Sequence, residues 1–247
     1  MTPIQQIFLG SGGAAKKKYI DDVFSTFLYT GDNGSNRHVD NGLNINGSGG
    51  LVWVDKRTGS SWGSIYVADT ARGLDDQIFT AKSDAQSDGL GRIKAASGSN
   101  TGFNVNNDSD VNSSSHNYCS WTWLRSKGFF DVVKYTGNGT AGHTISHSLG
   151  SKPGMIFIKN LDAGENWRGY HRELGATHNI EINNNQAAGA SSTVFNNTEP
   201  TASVFTLGTD GATNSNGQEH VAYLFAGGEA EGSWGPNSGD FTASEHI

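Results

Sequence analysis

The chain has 247 residues, a formal net charge of −7, a hydrophobic fraction of 34% and 34 glycines. Such a composition belongs to loop-rich β protein rather than to helices, and the scattered basic residues form no patch that would bind nucleic acid by counterion release. The single cysteine, Cys119, excludes an intrachain disulfide and a cysteine-rich metal site, and no stretch is apolar for long enough to cross a bilayer.

In chain order, residues 1–23 read as an arm. Ile7, Phe8 and Leu9 form an apolar anchor ahead of a glycine-rich linker and Lys16-Lys17-Lys18, as suits a segment that docks on a partner. The start carries no basic-then-apolar signal pattern, which predicts synthesis in the cytoplasm. A first unit over 24–126 has strand patterns at 24–30, 50–55, 62–68, 77–81, 101–105 and 117–124, with a helical turn around Ala68–Arg72. Lys127-Gly128 is the joint, short enough to predict a rigid tandem. A second unit over 127–227 has strand patterns at 129–136, 154–160, 166–171, 178–182, 203–207 and 219–226. Residues 228–247 form a glycine-rich exit whose Trp234 and Phe241 start a pattern that breaks off, as in a piece of a longer product.

The two units say the same thing. Phe27-Leu28-Tyr29-Thr30-Gly31-Asp32-Asn33-Gly34 returns as Val132-Val133-Lys134-Tyr135-Thr136-Gly137-Asn138-Gly139. Gly50–Lys56 returns as Gly154–Asn160, Trp62 as Trp167, and Cys119–Trp123 as Val221–Phe225. An offset that holds near roughly a hundred residues is a tandem repeat. Apolar runs punctuated by Gly, Asn, Asp and Ser predict an all-β chain of two antiparallel sandwiches. Their cores are expected to include Val52, Trp53, Val54, Trp121, Trp123, Ile156, Ile158, Tyr223 and Phe225.

Motifs for chemistry are weak. Gly137–Gly142 matches G-x-G-x-x-G, but His143-Thr144-Ile145-Ser146 after it reads as extended, whereas a dinucleotide needs a helix there. His143 and His147 on a strand would stand roughly 13 Å apart, too far to share an ion. Asn106–Asp110 alternates oxygen ligands without completing a calcium loop. No serine nucleophile elbow occurs, and Cys119 aligns with a valine in a strand. Aromatics that repeat as aromatics read as core, which leaves Trp62 and Trp167, beside polar turns, as candidate sugar-stacking residues.

The run Tyr19–Gly31, with Tyr118–Trp123, Phe129–Thr140, His147–Gly150, Pro153–Asn160 and Gly217–Ala226, resembles a repeated β-sandwich domain in tail-fibre and other virion proteins of tailed phages, notably those of aquatic bacteria. The resemblance covers about residues 19 to 227. It implies a concanavalin-like jelly-roll sandwich in each unit, attachment to the tail or an adaptor protein through the arm, and assembly as a homotrimer. It supplies no catalytic residue and no cofactor. The expectation is a virion structural protein of the proximal tail fibre, not an enzyme, with no nucleic-acid or membrane partner. A capsid-decorating or host-glycan-binding module is the alternative.

Overall fold

The computed structural model describes residues 19–59, 65–89, 91–96 and 101–228. A 3-10 turn, Ile20–Asp22, leads into β1 (Phe24–Thr30), β2 (Arg37–Val39), helix α1 (Ile45–Ser48), β3 (Gly50–Lys56), β4 (Tyr66–Asp69), β5 (Gly73–Phe79), β6 (Ile93–Ala95), β7 (Phe103–Val105) and β8 (Asn117–Leu124). The second half runs through β9 (Phe130–Thr136), β10 (His143–Ser146), β11 (Pro153–Asn160), β12 (Arg168–His171), β13 (His178–Glu181), β14 (Gly189–Ala190), β15 (Val204–Leu207), helix α2 (Gly211–Asn214) and β16 (Glu219–Ala226). The chain is all-β and its named strand pairings are antiparallel.

Topology repeats as the sequence does. A large sheet in the order β1-β8-β3-β4-β5 and a small one in the order β2-β7-β6 are matched by β14-β13-β12-β11-β16-β9 and by β10-β15. Reversed, the second large sheet places β9, β16, β11, β12 and β13 where the first has β1, β8, β3, β4 and β5. The short strands β2, β6 and β14 escape the sequence patterns, because two or three residues show little alternation, while β10 is the extended stretch read at His143–Ser146. The helical turn expected around Ala68–Arg72 is instead the turn between β4 and β5. There Asp69 Oδ1 accepts the N–H groups of Ala71 and Arg72 at 2.9 and 3.0 Å, holding a tight reversal that an α-helical turn cannot supply.

The repeated Tyr-Thr-Gly marker has a physical cause. Tyr29 donates its hydroxyl to the Val111 carbonyl and Tyr135 to the Thr213 carbonyl, both at 2.8 Å. A Cβ on Gly31 would lie 2.0 Å from the Ser113 carbonyl oxygen, and one on Gly137 2.2 Å from that of Ser215, so only glycine fits. A fully buried asparagine closes each loop. Asn112 donates to the Gly34 carbonyl at 2.8 Å and accepts from the Asp32 N–H at 3.1 Å. Asn214 donates to the Thr140 carbonyl at 2.9 Å and accepts from the Asn138 N–H, also at 2.9 Å. The G-x-G-x-x-G match is this lock, and it opens into strand β10.

Three apolar clusters lie in series. The first joins the large and small sheets of the first half through Val52, Tyr118, Leu124, Phe103 and Val105, and the second does so in the second half through Ile156, Leu224, Phe205 and Leu207. The third lies between the two large sheets, with Leu51, Val67 and Ile78 from one and Val132, Trp167, Val221 and Tyr223 from the other. Central strands are thus covered on both faces, which explains the near-continuous apolar runs of β3 and β11. The expected core needs correction at its aromatics. Trp53, Trp123 and Phe225 are only partly buried against the third cluster, and Trp121 is half-buried and belongs to none. Thr26, opposite Trp121 on the edge strand β1, is exposed and gives that indole little cover. Trp121→Ala is therefore expected to cost about 1–2 kcal/mol in a chemical melt, less than truncation of a fully buried tryptophan.

Candidate functional site

The seam between the large sheets holds a buried ion pair. Asp69 and Arg72 have fully buried side chains, with Arg72 Nε 2.5 Å from Asp69 Oδ2. Tyr223, from the other half, donates its hydroxyl to the same oxygen at 2.6 Å. Arg72 also donates to Gln86 Oε1 at 2.9 Å and to the Val67 carbonyl at 3.1 Å. Burial works against the guanidinium, but the Asp69 carboxylate outweighs it and holds the Arg72 pKa above its ordinary value. Burial likewise pushes the Tyr223 hydroxyl well up. Two further bonds stitch the halves: Trp167 Nε1 to the Phe79 carbonyl at 2.9 Å, and the Gln86 N–H to the Leu161 carbonyl at 2.8 Å.

Lys159 on β11 is also fully buried. Its ammonium donates to the carbonyls of Asn160 at 2.6 Å and Ala163 at 3.2 Å. Burial pushes its pKa down to about 8, against the pull of Glu165 and Asp84. Between about 8 and the ordinary 10.5 the unfolded chain holds this proton and the folded chain does not, so stability rises with pH across that window. Buried Cys119, Tyr135 and Tyr223 have raised pKa values and act with the opposite sign above about 9 to 10. The Lys159 contribution is therefore read as a difference. Urea midpoints at pH 7.5, 8.5 and 9.5 are expected to climb more steeply in the native chain than in Lys159→Met, and parallel curves would deny the shift.

Two surface depressions stand out among the described residues. The larger, about 570 Å³, lies beside β12, β13 and β14 and is lined by Asn166, Arg168, Asn179, Glu181, Gln186 and Asp210 among others. Arg168 pairs with Glu181 and reaches Asp210 at 3.5 Å. Asn166 donates to Glu181 Oε2 at 2.8 Å, and Asp210 caps α2 by accepting the Ala212 N–H at 3.0 Å. The wall offers both donors and acceptors, the chemistry that reads hydroxyl groups. The smaller, about 410 Å³, lies at the joint beside Arg125, Asp131, Lys134, His147 and Ser148. Asp131 there is spent on Arg125 Nε at 2.8 Å and on the N–H groups of Val132 and Ser148 at 3.0 and 2.6 Å. His147 Nδ1 accepts the Leu149 N–H at 3.3 Å, and burial lowers its pKa. The pocket lies where the two halves join, and its Asp131 carboxylate and Lys134 ammonium are already paired, with Arg125 and Glu219.

The candidates from sequence land unevenly. Ile7, Phe8, Leu9 and Trp62 lie outside the described residues. Trp167 is 0% exposed and part of the cluster between the large sheets, so it presents no ring face to a sugar. Its neighbourhood of polar turn residues misled the reading, because the other half covers what one half alone would leave bare. The structure instead leaves Trp121 half-buried. His143 bonds Asn214 Oδ1 at 2.8 Å as part of the loop lock. In the Asn106–Asp110 turn, Asp108 meets Arg92 at 2.7 Å and Asp110 accepts from the Tyr66 hydroxyl. Among the described residues no group of three His, Cys, Asp or Glu side chains is arranged to hold a metal, and no helix is long and apolar enough to cross a membrane.

Comparison with known families gives one match, to a model described as a domain of unknown function, DUF7483, over residues 20–244. The chain belongs to the DUF7483 family. The matched span takes in both halves, the seam between them and every strand among the described residues. No curated protein and no solved structure matches the DUF7483 chain.

Proposed function

We propose that this DUF7483 protein is a virion structural protein, the tail-proximal part of a phage tail fibre used in host adsorption. The seam carries the reading. A spacer must transmit position without bending, and two halves joined by a five-residue connection from Arg125 to Phe129 could bend unless their large sheets were fused. Here they share an apolar layer, the Tyr223 bond to the buried Asp69–Arg72 pair, the Trp167 and Gln86 bonds, and the Arg125–Asp131 pair at the joint. In this reading each half is a jelly-roll sandwich, residues 1–23 attach to the tail or an adaptor protein, and the chain is neither an enzyme nor a nucleic-acid or membrane binder. The resemblance of the repeat markers to fibre domains supports the setting. Immunogold labelling of intact particles tests it: label at the tail is expected, label over the capsid makes this a decoration protein, and no label on any particle rejects a virion role.

A glycan-binding role is the second reading, favoured by the amide- and carboxylate-lined depression around Arg168. Loss of glycan-array signal in Asn179→Ala and Gln186→Ala, with Trp62→Ala as a parallel variant, supports it. Equal signals in all three variants, or no signal from the native chain, leave the stalk reading alone.

A further inference from the structure

We propose that the edge of β1 pairs, antiparallel and about a two-fold axis, with β1 of a second copy of this chain. β1 is the last strand of its sheet and pairs only with β8 among the described strands. Its sequence, Phe24-Ser25-Thr26-Phe27-Leu28-Tyr29-Thr30, carries no charge and no proline, and its register with β8 runs unbroken over all seven residues. Edge strands usually guard themselves with charges, prolines or bulges. The equivalent strand β9 does so with exposed Lys134, and at the other end of the first large sheet Gln77 of β5 bridges to Ser87 while Asp75 accepts the Gly91 N–H at 3.3 Å. Among the described residues, β1 from Phe24 to Leu28 has no such guard. Leu28 stands 58% exposed on it, the most exposed of the large hydrophobic residues described.

The backbone parity fits self-pairing. The Gly31 N–H bonds the His116 carbonyl at 2.9 Å and the Val23 carbonyl accepts the Leu124 N–H at 2.8 Å, so the odd-numbered residues of β1 aim their polar groups at β8. Backbone groups alternate along a strand, so those of Phe24, Thr26 and Leu28 aim outward. An antiparallel pair centred on Phe27 sets Thr26 opposite the second copy's Leu28 as a hydrogen-bonded pair, and the reverse, giving four main-chain bonds about the axis. Outer-face side chains then meet outer-face side chains. Leu28 is covered by the opposing threonine, and the half-buried Phe27 meets its own copy on the inner face, beside the first core cluster. Arg37, which donates to the Thr30 carbonyl, ends the ladder at that side. No like charges oppose one another, so the strand is its own complement. A contact of this kind closes on itself, giving a dimer in place of the homotrimer that the resemblance implies.

Sedimentation equilibrium of the full chain tests the pairing. The native chain is expected to dimerise, and Leu28→Lys, at an exposed position, to weaken the dimer by roughly 100-fold or more while leaving far-UV circular dichroism unchanged. A Thr26→Cys/Leu28→Cys double variant in a Cys119→Ala background is expected to cross-link to dimer under mild oxidation. A native chain that stays monomeric, a dimer untouched by Leu28→Lys, or a trimer overturns the proposal.

Discussion

Arg72→Met is expected to lower the stability of the whole chain by about 3–5 kcal/mol, because it strips Asp69 of its cation while leaving the carboxylate buried. The pair is not expected to be worth that much in itself. Desolvating two ions offsets most of their attraction, so the loss measures the stranded charge rather than the bond. Asp69 would keep the Tyr223 hydroxyl and two backbone N–H groups, which hold the carboxylate but do not neutralise it. The companion Asp69→Asn/Arg72→Met is therefore expected to recover a large part of the loss, since the amide oxygen can still accept the two backbone N–H groups without a charge while the amide nitrogen turns to donate to the Tyr223 hydroxyl oxygen. Guanidinium melts followed by tryptophan fluorescence and by circular dichroism would show it. The two probes should move together, because Asp69 and Arg72 sit in one half and Tyr223 in the other. Separation of the probes in the native chain would mean that the seam does not couple the halves.

Trp167→Ala is expected to cost a similar amount, about 3–5 kcal/mol, the range for removing a large aromatic from a closed core. Trp167 is fully buried, stacks near Tyr223 with ring centroids 6.1 Å apart, and satisfies the Phe79 carbonyl across the seam. Removal leaves a cavity and an unpaired buried acceptor together. Trp167→Phe fills most of the space but not the bond, and should cost about 1–3 kcal/mol from the orphaned carbonyl. A surface tryptophan used for sugar stacking would behave otherwise, with Trp167→Ala leaving the melt within about 0.5 kcal/mol of the native chain.

Acid should act through three of the chain's groups in the same direction. His147 and His220 are held below their ordinary pKa by burial, and Asp32 by the Gly34 N–H and the Asn112 amide. In each case the unfolded chain takes up protons first as pH falls, so stability is lost below about 6.5 for the histidines and further below about 4 for the carboxylate.

Much of this architecture is written locally. The strands 24–30, 117–124 and 219–226 read from sequence with the bounds that the structure has, because seven or eight residues of β-branched and aromatic alternation leave few other conformations. The repeat was legible for a related reason. Tyr29-Thr30-Gly31 and Tyr135-Thr136-Gly137 each need a hydroxyl of one length and a residue with no Cβ at one point, and such demands fix letters. Asn112 and Asn214, which complete the locks, carried no signal, since an asparagine in an asparagine-rich loop looks like any other.

What the sequence by itself determined is the all-β class, the doubled order of long strands and the glycine-locked loops. These rest on interactions within a strand, a turn or one half. The tertiary structure alone decided which tryptophans are buried. Trp121 and Trp167 are chemically alike and both sit near strands, yet packing of one large sheet on the other closes over Trp167 and stops short of Trp121. It also decided that Asp69 and Arg72, polar letters in a turn, become the buried charge of a seam beside a tyrosine 154 residues further along the chain. Burial of that kind depends on what arrives from elsewhere, and no local pattern contains it.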